Sequence, residues 1–329
     1  MSALRELKIL AFVIVAVGVL YWGVEPLAHS IFNPKTAPVD YAFSDLDKLP
    51  TTGDVENGKV LVTTYCIACH TLAKEDFPGK ADIPVVDKET AIAAYGVVPP
   101  DLSYMGALYD ENFLANLIKD PVKALKLEHK FGTDKFFPMQ PTPVSDAELG
   151  DMVAYLKSIG EKNLESQALE SPEYKAKIDA ISKNSVNINE RKSEINALKE
   201  HYLDKETFKE ACVRCHSMKY DDILSSAPAE SILAYMGAKA PDLSMMIRSR
   251  GEERLHKFIN DPQKMLVNAS MPRVGLNEAS QKRVVAYMDS IGDSKKSERT
   301  TIGFVLIGFM VVMAILAYLW KRKIWHDLH

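Results

Sequence analysis

The sequence predicts a mainly α-helical protein: two tandem helical domains outside a membrane, with one N-terminal and one C-terminal transmembrane helix. Three observations carry that prediction. Both ends are apolar, the part between them is duplicated, and no stretch alternates apolar and polar residues as a half-buried strand would. A length of 329 residues suits about two domains. A net charge of −4 with 26 % charged residues is that of an ordinary globular protein, and speaks against a nucleic-acid partner.

Ile9 to Val24 is an apolar run, preceded by Arg5 and Lys8 and closing on Tyr21 and Trp22, as interfacial aromatics do. A cleaved signal peptide is the alternative. Its apolar region is usually shorter, and Pro26-Leu27-Ala28-His29 is a poor cleavage site. The favoured reading is an uncleaved anchor at 1–24, followed by a linker at 25–53. Ile302 to Trp320 is a second apolar run, followed at once by Lys321, Arg322 and Lys323. It is long enough to span a bilayer, and the basic triplet marks the cytoplasmic side. An anchor at 302–320 and a tail at 321–329 then leave both termini in the cytoplasm. Everything from about Glu25 to Thr300 lies on the periplasmic side of the inner (cell) membrane. That outer part is acidic overall, a field that would steer a basic soluble partner or simply keep the surface soluble.

The outer part repeats. Pro100-Asp101-Leu102-Ser103, Asp120-Pro121 and Ala154-Tyr155-Leu156-Lys157-Ser158-Ile159-Gly160 recur in order as Pro241-Asp242-Leu243-Ser244, Asp261-Pro262 and Ala286-Tyr287-Met288-Asp289-Ser290-Ile291-Gly292. A repeat this long is a tandem domain. The copies span 54–160 and 202–292. Val55 to Tyr65 and Glu206 to Ala211 read as short helices. Ser145-Asp146-Ala147-Glu148 is an N-cap for a helix ending near Gly160, and Asn277 starts its counterpart to Gly292. Residues 161–201 are charged and poor in aromatics, a helical connector with a solvated face. Residues 71–99 form an insertion containing Pro78, Pro84 and Pro99, just ahead of Pro100.

Each copy opens with C-x-x-C-H: Cys66-Ile67-Ala68-Cys69-His70 and Cys212-Val213-Arg214-Cys215-His216, which use every cysteine in the chain. This is the c-type haem attachment signature. Two thiols three positions apart can add to the two vinyl groups of one porphyrin, and the adjacent histidine ligates the iron. A thioredoxin-like pair would need a βαβ pattern, and a four-cysteine zinc site would need the pairs close together. The expectation is two covalently bound haem c groups and an electron-transport function. Haem attachment of this kind occurs in bacteria on the outer side, which agrees with the topology.

An electron-transfer haem fills its other axial position, commonly with Met or His. Met139, in Phe137-Pro138-Met139-Gln140-Pro141, and Met271, in Ser270-Met271-Pro272, lie in proline-fixed loops just before the last helix of each copy. They stand at matching positions in the repeat. The iron ligands expected are therefore His70 with Met139 and His216 with Met271. Met105, Met152, Met245, Met246 and Met288 read as core, and His129 and His256 as surface residues.

These motifs resemble class I cytochrome c domains. In that family a Gly and an aromatic residue stand eight and four positions before the first cysteine, where the leading helix crosses the last one. Gly58 and Val62 take those places in copy one, and Asp204 and Phe208 in copy two; Val62 and Asp204 depart from the pattern. The family's proline carbonyl that binds the ligand histidine corresponds to Pro100 and Pro241. Pro99-Pro100-Asp101-Leu102-Ser103, the basic Ile247-Arg248-Ser249-Arg250-Gly251 and the C-terminal anchor resemble cytochrome c1. The whole is similar to the two-haem cytochrome c1 subunit of some bacterial ubiquinol:cytochrome c reductases (cytochrome bc1 complexes) of the respiratory chain. That resemblance implies cytochrome b and Rieske iron–sulfur subunits as partners, a soluble cytochrome c or terminal oxidase as acceptor, propionate contacts from Arg248 and Arg250, and no bond chemistry of the chain's own. The alternatives are an anchored dihaem subunit of a terminal oxidase and a dihaem peroxidase. By the short tether at Asp293–Thr301, the second haem is expected to receive electrons and the first to pass them on.

Overall fold

The computed structural model describes residues 2–32, 38–83, 87–132, 135–184 and 187–328. It is mainly helical, and among the described residues β pairing is confined to two isolated bridges, Tyr109 with Leu276 and Met218 with Ile223. Pro84, in the insertion, lies outside the described residues.

Residues up to Pro38 form a unit of their own. Its helical stretch Leu4–Phe32 is apolar, unburied and long enough to cross a membrane, with a π-helical turn at Leu20–Val24. The first eight residues of the expected linker, Glu25–Phe32, are therefore helical. The helix Lys296–Leu328 at the other end also has an apolar segment long enough to span, Lys296–His326.

From Val39 onward the chain is one body. The first leading helix, Val55–Tyr65, starts at an Asp54 cap that accepts from the Glu56 and Asn57 amides. The first closing helix, Asp146–Leu169, starts at the expected capping box of Ser145 and Glu148. The two cross where Gly58 meets the Asp151 carbonyl and Tyr155; a Cβ there would overlap both. The second leading helix, Ile188–Cys212, crosses the second closing helix, Glu278–Gly292, in the same way. There Phe208 stacks on Tyr287 with centroids 4.9 Å apart. Asp204, in the glycine's place, pairs with Arg283 at 2.9 Å instead of allowing a close approach. Both crossings thus form despite the departures at Val62, which is fully buried, and Asp204.

Two boundaries differ from expectation. The closing helix does not end near Gly160; it runs to Leu169, because nothing after Gly160 breaks it and Asn163, Leu164 and Ala168 are buried. The second leading helix begins at Ile188, well before Glu206. The charged connector is therefore mostly continuous with the haem-motif helices, with Pro172–Asn184 between them. It carries its own small core, in which Tyr202 packs on Tyr174 beside Ala168 and Leu203.

Gly160 and Gly292 do the same job in the two copies. A Cβ on Gly160 would overlap Gly106 and Ala107, and one on Gly292 would overlap the Ser244 carbonyl and Ile247. Each closing helix thereby lies against the short turn that follows its Pro-Asp-Leu-Ser segment.

Residues 38–53 are not a loose linker. Asn260 bonds the Asp40 amide at 3.0 Å, Arg273 grips Asp45, Lys123 pairs with Asp47 at 2.9 Å, and Asn112 accepts from the Leu49 amide at 3.1 Å. This strap touches both copies, so residues 38–53 belong to the folded body and not to a free linker. At the other end the joint is tight: Asp293 pairs with Arg299 at 2.6 Å, and Lys296 with Asp289 at 3.1 Å, across the bend between the closing and C-terminal helices.

Candidate functional site

Each C-x-x-C-H motif is the turn that ends a leading helix. In the first, the Cys69 and His70 amides donate to the Cys66 carbonyl at 3.1 and 2.9 Å; in the second, the Cys215 and His216 amides donate to that of Cys212 at 3.2 and 2.9 Å. No disulfide joins the four cysteines. Burial pushes Cys66 and Cys212 up to about 12, and raises Cys215 as well. Among the described residues no group of three His, Cys, Asp or Glu could hold a bare metal ion.

The Pro-Asp-Leu-Ser segments close over the motifs. His70 Nδ1 donates to the Pro100 carbonyl at 2.9 Å, and His216 Nδ1 to the Pro241 carbonyl at 2.8 Å. A carbonyl can only accept, so the proton sits on Nδ1 and leaves the Nε2 lone pair free for iron. Burial holds both imidazoles below the usual histidine pKa; for His70 the Arg214 guanidinium adds to this while the Pro100 bond opposes it. Both rings are thus neutral and competent as ligands near pH 7. Paired cysteines beside imidazoles whose Nε2 is left free fit a covalently bound haem.

The main-chain and carboxylate contacts of the loop also repeat. The Leu102 amide donates to Thr71 and the Leu243 amide to Ser217, at 2.8 and 2.9 Å. Asp101 accepts from the Ser103 amide at 2.8 Å, as Asp242 does from Ser244 at 3.1 Å. Its other oxygen takes the Ala73 amide at 3.1 Å, as that of Asp242 takes Lys219 at 3.0 Å. The Ser103 and Ser244 hydroxyls accept from the Lys74 and Tyr220 amides, each at 3.1 Å. The second copy therefore reproduces these contacts of the first copy's histidine-holding loop, except that Thr71 Oγ1 also donates to Asp101 at 2.7 Å whereas Ser217 Oγ accepts from the Ser225 amide at 2.9 Å.

Met139 and Met271 both lie half-buried in irregular segments ahead of the closing helices. Met105, Met152 and Met288 are core, as expected, whereas Met245 is exposed. His129 is exposed; His256 is not a surface residue but is half-buried, its Nδ1 3.0 Å from Gln281 Nε2. Arg248 and Arg250 are exposed, and Arg248 faces Asp293 at 3.9 Å.

Sequence reasoning missed what lies between the motifs. Tyr95, in the insertion, places its hydroxyl 3.5 Å from Cys69 Sγ. The next residue, Gly96, packs so tightly on Tyr235 that no Cβ would fit. Arg214, inside the second motif, donates to the Tyr109 hydroxyl of the first copy at 3.3 Å, and its buried Nε has no partner. Arg214 was in plain view, but only the fold turns it toward the other copy. A cleft lined by Thr51, Gly53, Gly106, Lys157 and Glu161 among others shares no residue with either motif.

Residues 55–160 match the family model for cytochrome c. This stretch is a cytochrome c domain, and such a domain implies a covalently bound haem c and an electron-transfer function. Neither the curated proteins nor the solved structures yield a match to the chain.

Proposed function

We propose, from the cytochrome c domain at 55–160, that the chain is the dihaem cytochrome subunit of a quinol:cytochrome c oxidoreductase. It passes electrons from a Rieske iron–sulfur protein to a soluble cytochrome c or an oxidase. One observation carries the second haem: the loop holding His216 repeats the proline-carbonyl, backbone and carboxylate–amide hydrogen bonds of the loop holding His70. In this reading Cys66, Cys69, Cys212 and Cys215 attach the two haems, His70 with Met139 and His216 with Met271 fill the axial positions, and Arg248 and Arg250 serve propionates. A filled axial pair leaves no site for peroxide, so the chain moves electrons without making or breaking bonds.

The quinol-reductase assignment is supported by the Pro-Pro-Asp-Leu-Ser and Arg-Ser-Arg segments and by the C-terminal apolar helix joined rigidly to the second copy. With the haem domains periplasmic and both termini cytoplasmic, that joint holds the second haem near the membrane subunits. Purification from detergent tests this. A cytochrome b and a Rieske protein should accompany the chain. An oxidase core in their place would assign it to a terminal oxidase, and isolation alone would remove the assignment.

A further inference from the structure

Arg273 stands two residues after Met271 and is 1 % exposed. Its Nε donates to the Ala124 carbonyl at 3.0 Å, and Nη1 to both oxygens of Asp45 at 2.7 and 2.9 Å. Its own amide donates to the Leu125 carbonyl at 3.1 Å. The guanidinium is flanked by Phe43 and Phe113, with centroids 5.4 and 5.8 Å away. A buried guanidinium is costly unless its charge and donors are met, and Asp45 meets the charge.

Asp45 belongs to the strap that precedes the first copy, 228 residues away. Two residues before it, Phe43 is buried with φ 46°, a left-handed conformation that a bulky side chain adopts only where its surroundings force it. What the strap achieves here is to place Phe43 and Asp45 on Arg273 at once. Among the described residues copy one shows no such device: the repeat offset that relates Met139 to Met271 puts Pro141 opposite Arg273, and that segment is stiffened by Pro138 and Pro141 instead.

We infer that Asp45 and Phe43, through Arg273, are positioning residues for the second haem site, holding the Met271 segment over its iron. This rests on the reading that Met271 is the axial ligand. The strap between the first anchor and the first haem domain, whose Asp45 also meets Lys126 of copy one at 3.2 Å, thus bears on ligation at the second haem.

The test uses the full chain in detergent, with the methionine–iron absorption band as readout and imidazole as the competing ligand. In a Met139→Ala background the remaining band reports the second site; in a Met271→Ala background it reports the first. Asp45→Asn should let imidazole displace the second-site methionine at about tenfold lower concentration, roughly 1.4 kcal/mol of ligation. It should leave the first site unchanged. Arg273→Lys, which keeps the charge but loses the planar fork, should act in the same direction if Asp45→Asn fails to fold. An unchanged second site, or an equal loss at both, overturns the inference. If Met271→Ala removes no methionine band, the axial reading is what fails, and the inference falls with it.

Discussion

Asp101→Ala removes the carboxylate around which the first histidine-holding loop is built, and the structure sets the cost. The Ser103 amide is lost to a site that is 0 % exposed, and a buried donor left unmet costs about 1–3 kcal/mol. The Thr71 hydroxyl, 2.7 Å from Asp101, is half-buried and recovers part of its bond from water. The Ala73 amide is exposed and loses little. The sum is about 3 kcal/mol. Asp242→Ala loses one buried partner, Ser244, and one exposed, Lys219, so it should cost less, about 2 kcal/mol. Chemical denaturation of the intact chain in detergent measures both, read as the shift in midpoint at constant slope. Redox titration supplies a second readout. A slackened loop weakens the Pro100–His70 bond, makes the imidazole less basic, and raises the midpoint potential of the first haem while leaving the second in place. A loss below about 1 kcal/mol for Asp101→Ala, or potentials moving together in both variants, would refute the reasoning.

Three further outcomes are expected. Gly160→Ala should destabilise the chain by about 1–3 kcal/mol, because a methyl group there strikes the Gly106–Ala107 backbone; thermal unfolding checks it. Glu210 is raised to about 7 by burial first and then by Asp101 and Glu206. Its folded pKa lies above its unfolded one, so the folded state holds the extra proton, and stability falls as pH rises from about 4.5 to about 7. Glu210→Gln should flatten that slope, as denaturation at pH 5 and pH 8 would show. Arg214→Gln should lower the potential of the first haem, because a cation near His70 favours the reduced iron; an unchanged first potential in redox titration would count against it.

Much of this was legible in local sequence. The capping box, the C-x-x-C-H turns and the proline carbonyls each depend on residues within a few dozen positions, and periodicity with repeat matching finds them. Helix ends inside the connector were not legible, because charged residues of high helix propensity carry no stop signal once their apolar neighbours are buried by partners elsewhere. Asp45 on Arg273, Arg214 on Tyr109 and Gln281 on His256 were illegible for another reason. Each is a polar pair chosen by tertiary packing, and a lone polar residue in a sequence carries no sign of its partner. The same limit explains why 38–53 read as a linker: its contacts lie on both copies at once.

Whether one chain carries two covalent haems is decided by the intact mass of the denatured, purified subunit. The predicted result is the full-length polypeptide, N-terminal span included, plus two haems, falling to one haem when either cysteine pair, Cys66 with Cys69 or Cys212 with Cys215, is replaced by alanine. A parent mass carrying a single haem, unchanged by loss of Cys212 and Cys215, would contradict it.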